Sequence, residues 1–277
     1  MTWLAIPYPH FDPVAIAIGP LAIKWYGLAY MAGLLLGWYY VRRLLAQPGL
    51  WAGDKAPFAV ERSDDLLLLM TFGVVLGGRL GYVLFYRPDF YFAHPLEIPA
   101  MWHGGMSFHG GFLGSVLAIW LFSRRNGVNP LTVLDLAAAA APLGLLFGRL
   151  ANFINGELWG RPASVPWAMV FPEAGPDARH PSQLYEATLE GLVLFAVCWW
   201  LVNRMGALKR PGLVAGVFTF GYGLARSTCE LFREPDPGHW ATHGWFTAGI
   251  LYSLPMIAAG LFLLYRVRVK VEADGQA

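Results

Sequence analysis

The stretch LDLAAAAAPLGLLFGRLANFINGELWGR, Leu134 to Arg161, decides the fold class. Its first half is apolar enough to lie in hydrocarbon. Its second half then carries arginine, two asparagines, glutamate and arginine in quick succession. Polar groups at the end of an apolar helix are either interfacial trim or the wall of a site, because each is costly inside a bilayer. Working outward, the whole chain shares this character. Of 277 residues, 56% are hydrophobic, 15% aromatic and only 14% charged, with mean hydropathy +0.46. Soluble domains carry about 25% charged residues, so the composition is that of a membrane protein. A net charge of +2 gives no argument for a nucleic-acid partner.

A bilayer core needs roughly 20 apolar residues per helix. Seven runs fit, at about 20–41, 64–86, 109–123, 131–151, 183–202, 212–231 and 245–265. They predict an all-α polytopic protein of seven spans, a single integral-membrane domain over 1–277. The segment RPDFYFAHPLEIPAMWHGG, rich in proline and aromatics, suits a membrane interface. The longest break, within 154–181, alternates and contains Trp, Val and Phe. It predicts a small extramembrane strand element, a cap inside the larger domain. The N-terminal twenty residues lack the charged start of a signal peptide, so no cleavage is expected. Cys198 and Cys229 fall at different depths, and no disulfide is expected.

Cytoplasmic flanks are enriched in Lys and Arg. Twelve of the twenty basic residues fall on one side of the seven runs: Arg42, Arg43, Lys55, Arg62, Arg124, Arg125, Arg204, Lys209, Arg210, Arg266, Arg268 and Lys270. Lys24, Arg87, Arg161, Arg179 and Arg233 fall on the other. The N-terminus is therefore expected outside and the C-terminus in the cytoplasm.

Arg79, Arg149 and Arg226 lie inside spans two, four and six, which run in one direction. Counting about 1.5 Å per residue puts all three in the outer part of the bilayer. Tyr26, His109, Tyr185 and Glu186 begin odd-numbered spans at the same level. Tyr222, Arg226 and Glu230 share one helix face by i, i+4, i+8 spacing, and Arg149 and Asn152 by i, i+3. One arginine at a helix end can simply snorkel to the headgroups. Several polar spans converging at one depth point to a wet, anion-binding cavity. The guanidinium fork matches phosphate, and the anion at that depth is a phospholipid headgroup. His109, flanked by Gly110 and Gly111, is a candidate general base. Asp64, Asp65 and Asp135, near inner span ends, suit helix capping. No metalloprotease, P-loop or serine-esterase motif occurs, and no metal or cofactor is expected.

The segments GGMSFHGGFLG (104–114), GRLANFINGELWGR (148–161), HPSQLYEA (180–187) and GYGLARSTCELFREPD (221–236) resemble, in this order, those of the bacterial prolipoprotein diacylglyceryl transferases. KWYGLAY (24–30) and GGRLGYVLFY (77–86) are similar too. The resemblance implies a seven-span enzyme of the bacterial inner membrane with its active site toward the periplasm. It would move the diacylglyceryl group of phosphatidylglycerol to the lipobox cysteine of a prolipoprotein, forming a thioether and releasing glycerol 1-phosphate. By motif, His109, Arg149 and Arg226 match the essential residues. Tyr26, Asn152, Glu157, Gly160, Tyr222 and Glu230 match further functional positions, and Arg79 joins them as a candidate lipid contact by depth. Ala151 and His103 depart from the family pattern. The rival reading is an anion or lipid transporter using the same arginines. The apolar inner halves of the spans (LLLLM, LAAAA, LFAVCWW) favour a one-sided site instead.

Overall fold

A computed structural model describes residues 6–9, 11–19, 21–235 and 246–274. Nine α-helices are described: α1 Trp25–Leu45, α2 Arg62–Phe85, α3 Pro88–Ala93, α4 Phe108–Asn126, α5 Pro130–Ile154, α6 Ser182–Glu186, α7 Leu194–Met205, α8 Leu213–Glu230 and α9 Ala248–Asp274. A π-helix, Ala187–Val193, joins α6 to α7 without a break. The described strands are short: β1 Ile6–Pro7, β2 Val14–Ile18, β3 Leu21–Lys24 and β4 Met169–Val170. Each of the seven apolar runs carries a helix. By length and composition, Arg62–Phe85, Pro130–Ile154, Ser182–Met205 and Ala248–Glu272 are able to cross a membrane. Their outward faces are apolar: Leu68, Phe72, Leu76, Leu80 and Leu84 run exposed along α2, as a lipid-facing stripe requires.

Two differences from the sequence reading stand out. The first run begins as a strand, since β2 and β3 form an antiparallel hairpin that ends where α1 starts. Gly19, at φ +57° in the turn, permits the reversal. The final helix continues to Asp274, well past residue 265; residue 245, where that run begins, lies outside the described residues. In 154–181, β4 pairs in parallel with β1, and single bridges link Pro162 and Met169 to Arg179. The segment thus carries one short strand and single bridges, with turns between them.

The chain divides into two compact units, 1–41 with 135–277, and 42–134. In the second unit, glycines bring α2 and α4 together. A Cβ on Gly73 or Gly77 would strike the backbone of Gly114 or Gly110, so these helices meet backbone to backbone, as small residues allow in membranes. Arg42 pairs with Asp64 at 2.9 Å and Arg62 with Asp65 at 2.9 Å. In the first unit Asp135 does cap a helix, but not its own. Its carboxylate accepts the backbone N–H groups of Gly212 at 2.7 Å and Ala215 at 2.8 Å, satisfying donors at the start of α8 that have no intrahelical partner. Cys198 and Cys229 are free and buried.

Candidate active site

The polar centre of the first unit is built by α5, α8 and the helical run that begins with α6. Glu186 ends α6 and Glu190 lies in the π-helix. Both side chains are fully buried, at 0% exposure. π-Turns widen the helix and recur at functional sites. Gly191 lets this turn press on α5, since a Cβ there would lie 2.8 Å from Cα of Leu146. That contact sits one turn before Arg149.

Two arginines converge on Glu186 from different helices. Nη1 of Arg149 lies 3.2 Å from Oε2. Nη1 of Arg226 donates to Oε1 at 3.0 Å. Arg233 approaches the same Oε1 at 3.7 Å. Arg149 also turns one edge to Glu190, with Nε and Nη2 donating to Oε2 at 3.2 and 3.1 Å. Arg226 pairs with Glu230 at 2.5 Å, the i, i+4 spacing of one helix face. Glu230 in turn abuts Gly249 in the first turn of α9, where any side chain would collide with its carboxylate. The positive end of that helix favours the anion. Three guanidiniums thus meet three carboxylates in a largely apolar setting. Burying charge is affordable only when it is paired. The arginine side chains keep 14–16% exposure at positions 149 and 226, whereas Glu186 and Glu190 have none. Those two carboxylates are sealed from solvent, while the two arginine side chains keep a partial opening to it.

Around this cluster Tyr222 lies within electrostatic reach of Arg149, Arg226 and Glu190, and Tyr30 of Arg149 and Glu157. The hydroxyls of Tyr26 and Tyr30 are 3.1 Å apart. Nδ2 of Asn152 donates to Oε1 of Glu157 at 2.7 Å, and Nε2 of Gln183 donates to the Glu157 carbonyl. The turn that carries Glu157 is tight, with Gly156 at φ +67° and Leu158 at φ +57°. Leu158 is a non-glycine residue in the left-handed region, where strain is stored. Tyr8 anchors the N-terminal segment beneath it, its hydroxyl 2.6 and 2.7 Å from the carbonyls of Phe153 and Ile154. Burial raises the pKa of that hydroxyl. His180 stacks edge-on to Phe232 and Tyr185, with Nδ1 3.0 Å from the Tyr185 hydroxyl. Partial burial lowers its pKa, because the charged imidazolium loses hydration.

In the second unit, Arg79 is fully engaged by backbone. Nε donates to Ile98 O at 2.7 Å, Nη1 to Gly104 O at 2.6 Å and Gly105 O at 3.1 Å, and Nη2 to Glu97 O at 2.9 Å and Ala100 O at 3.1 Å. The guanidinium also lies 5.0 Å over the Tyr91 ring. Five donors meet five carbonyls. Arg79 thereby clamps the 97–105 loop. Ser107 continues that loop, donating its N–H to Gly78 O at 2.8 Å and capping α4 through Gly110 N at 3.2 Å. His109, in the first turn of α4, is exposed.

Comparison with known proteins agrees with this chemistry. The family model for prolipoprotein diacylglyceryl transferase matches residues 13–266. This chain belongs to the prolipoprotein diacylglyceryl transferase family. Relatives named phosphatidylglycerol–prolipoprotein diacylglyceryl transferase include that of Rhodopseudomonas palustris, 56% identical over 266 residues, 95% of this chain and 92% of the relative. That of Beijerinckia indica is 58% identical over 267 residues, 95% of this chain and 96% of the relative. That of Rhizobium meliloti is 54% identical over 275 residues, 98% of each. The chain is thus a transferase and a multi-pass helical membrane protein.

For this diacylglyceryl transferase, Arg149, Arg226 and Glu230 share one ion-pair cluster, and Tyr26, Asn152, Glu157 and Tyr222 belong to the same unit. His109 stands in the other unit. Gly160 is hemmed in by backbone and forms a single bridge with Arg233. Its N–H donates to His180 O at 2.9 Å, and a Cβ would strike the carbonyls of His180 and Phe232. Glu190 and Arg233 were missed as site residues. The signal for Glu190 was present, an acid in LYEATLEGLVLF four residues after Glu186. Arg233 counted only as flank charge.

Proposed function

We propose that this chain transfers the diacylglyceryl group of phosphatidylglycerol to the thiol of the lipobox cysteine of prolipoproteins, the first step of lipoprotein maturation. The observation that carries the reading is the partly exposed pair Arg149 and Arg226, joined through the buried Glu186 inside an apolar helix set. Such a pair suits the phosphodiester of one lipid headgroup, held with charge-assisted bonds. As the glyceryl carbon–oxygen bond breaks, the departing phosphate keeps the electron pair. The two guanidiniums stabilise that growing charge, which is often the largest catalytic contribution. The acceptor thiol loses its proton, since the thiolate is the nucleophile, and sulfur takes the vacated bond to carbon. Glycerol 1-phosphate leaves. The family motif SFHGG supports His109, or a water it orients, as the group that takes this proton. Asn152, Glu157, Tyr26 and Tyr222 line the headgroup, and Arg79 positions the loop ahead of α4.

The charge bias supports a finer topology: seven spans, N-terminus outside and C-terminus cytoplasmic, in the bacterial inner membrane. Residues 154–181 then form a periplasmic cap beside the site, where a lipobox signal peptide enters from the surrounding lipid. The test is release of glycerol 1-phosphate by the purified protein. Release that requires both phosphatidylglycerol and a lipobox peptide, and stops when serine replaces the cysteine, supports the reading. Lipid moving between leaflets with no glycerol phosphate released would make the chain a transporter.

A further inference from the structure

Arg149 spends its bidentate edge on a carboxylate that uses only half of itself. Nε and Nη2, the parallel donors that best match phosphate, both point at Oε2 of Glu190. The other oxygen, Oε1, is buried and accepts no hydrogen bond. A buried carboxylate oxygen without a partner carries a desolvation cost. Oε2 of Glu186 and Oε2 of Glu230 accept no hydrogen bond either, but each lies against a guanidinium, 3.2 Å from Nη1 of Arg149 and 2.5 Å from Nη2 of Arg226. Glu186 divides its oxygens between Arg149 and Arg226, with Arg233 nearby. Glu230 faces Arg226 and the first turn of α9.

Charge balance makes this asymmetry consequential. Arg149, Arg226 and Arg233 neutralise Glu186, Glu190 and Glu230. A phosphodiester entering this set adds one negative charge where the dielectric is low and Coulomb terms are large. It also needs the Arg149 edge that Glu190 holds. One proton on Oε1 of Glu190 would meet both demands. It cancels the added charge and weakens the carboxyl group's hold on the guanidinium. The groups facing Glu190 are Arg149 from α5, Tyr222, Arg226 and Cys229 from α8, and Glu186 one turn earlier. We propose that Glu190 takes up one proton from solvent as the lipid phosphate binds, handing the Nε–Nη2 edge of Arg149 to that phosphate. Lipid capture is then proton-coupled, and Glu190 is a positioning residue for Arg149. The inference rests on the assignment of Arg149 to the lipid phosphate.

The test is calorimetric binding of short-chain phosphatidylglycerol to the full-length protein in detergent, in buffers of different ionisation enthalpy. Wild type is expected to take up about one proton per lipid. Glu190→Gln, a permanently neutral near-isostere, is expected to take up none, while Glu61→Gln, at an exposed acid outside the cluster, retains the uptake. Wild-type binding without net proton uptake, or full uptake in Glu190→Gln, overturns the proposal. No lipid binding by wild type contradicts the phosphate-site assignment itself. Should Glu190→Gln fail to fold, wild type alone still decides. Its Kd should weaken by up to about tenfold per pH unit across the uptake range, and a Kd flat from about pH 6 to 8 overturns the proposal.

Discussion

Glu186 accepts from Nη1 of Arg226 at 3.0 Å, and with its other oxygen it faces Arg149 at 3.2 Å. One wholly buried carboxylate therefore holds two arginines from two helices. Removing one partner of a buried pair leaves uncompensated charge and costs about 3–5 kcal/mol. Glu186→Ala is expected to lower the thermal midpoint in detergent by that equivalent. Glu186→Gln, which keeps shape and one acceptor, should lose less. Equal stability of Glu186→Ala and wild type would remove Glu186 as the hub.

Arg149→Lys keeps the positive charge but cannot reproduce the fork shared by Glu186 and Glu190. Loss of one preorganised donor at a developing anion costs on the order of 100-fold in rate. A drop in transfer rate of that size is expected, read from initial rates in mixed micelles. Full activity would refute bidentate phosphate binding at this position.

Arg79 is expected to behave differently from Arg149. Each buried carbonyl left unmet costs about 1–3 kcal/mol. In Arg79→Gln, amide exchange should rise across 97–107, and kcat should fall while KM for phosphatidylglycerol changes less than about twofold. A raised KM with an undisturbed loop would assign Arg79 to the lipid site.

The α2–α4 contact admits nothing larger than glycine at its centre. A Cβ on Gly114 would clash with the Gly73 backbone, whereas one on Gly144 meets nothing within 4 Å. Gly114→Ala should therefore lower stability by about 1–3 kcal/mol through overpacking, and Gly144→Ala should be neutral or slightly stabilising through helix propensity. Thermal unfolding of the pair in one detergent compares them directly.

His180 has a folded pKa below its unfolded value. The folded state therefore binds fewer protons than the unfolded state at mildly acidic pH. The stability it contributes is present above the unfolded value of about 6.5 and is lost as pH falls through the folded one. The melting temperature should decline on acidification from about pH 7 to 5, and His180→Gln should flatten that decline. An identical slope in the variant would remove His180 as its source.

Much of this architecture was legible in the sequence because hydrocarbon solvent imposes length and apolarity on each helix. Each of the seven runs carries a helix, and four described helices are long and apolar enough to cross a membrane. Strand β3 was hidden in the start of the first apolar run, with β2 just before it, although the Gly19–Pro20 dipeptide between Val14–Ile18 and Leu21–Lys24 is a turn signal. The Arg226–Glu230 pair followed from i, i+4 spacing. Glu190 was passed over although it stands four residues after Glu186, one helical turn on. The partners of Arg79 are backbone carbonyls of a loop, which no side-chain pattern reveals. Asp135 was read correctly as a cap, but its target, α8, lies some eighty residues away.

The most direct measurement is the mass of a lipobox peptide after incubation with the purified protein and phosphatidylglycerol. The account predicts that the cysteine-containing fragment gains one diacylglyceryl group, with acyl masses matching the lipid supplied, and that Arg149→Lys largely abolishes the gain. An unmodified peptide, with the lipid instead redistributed between leaflets, would contradict it.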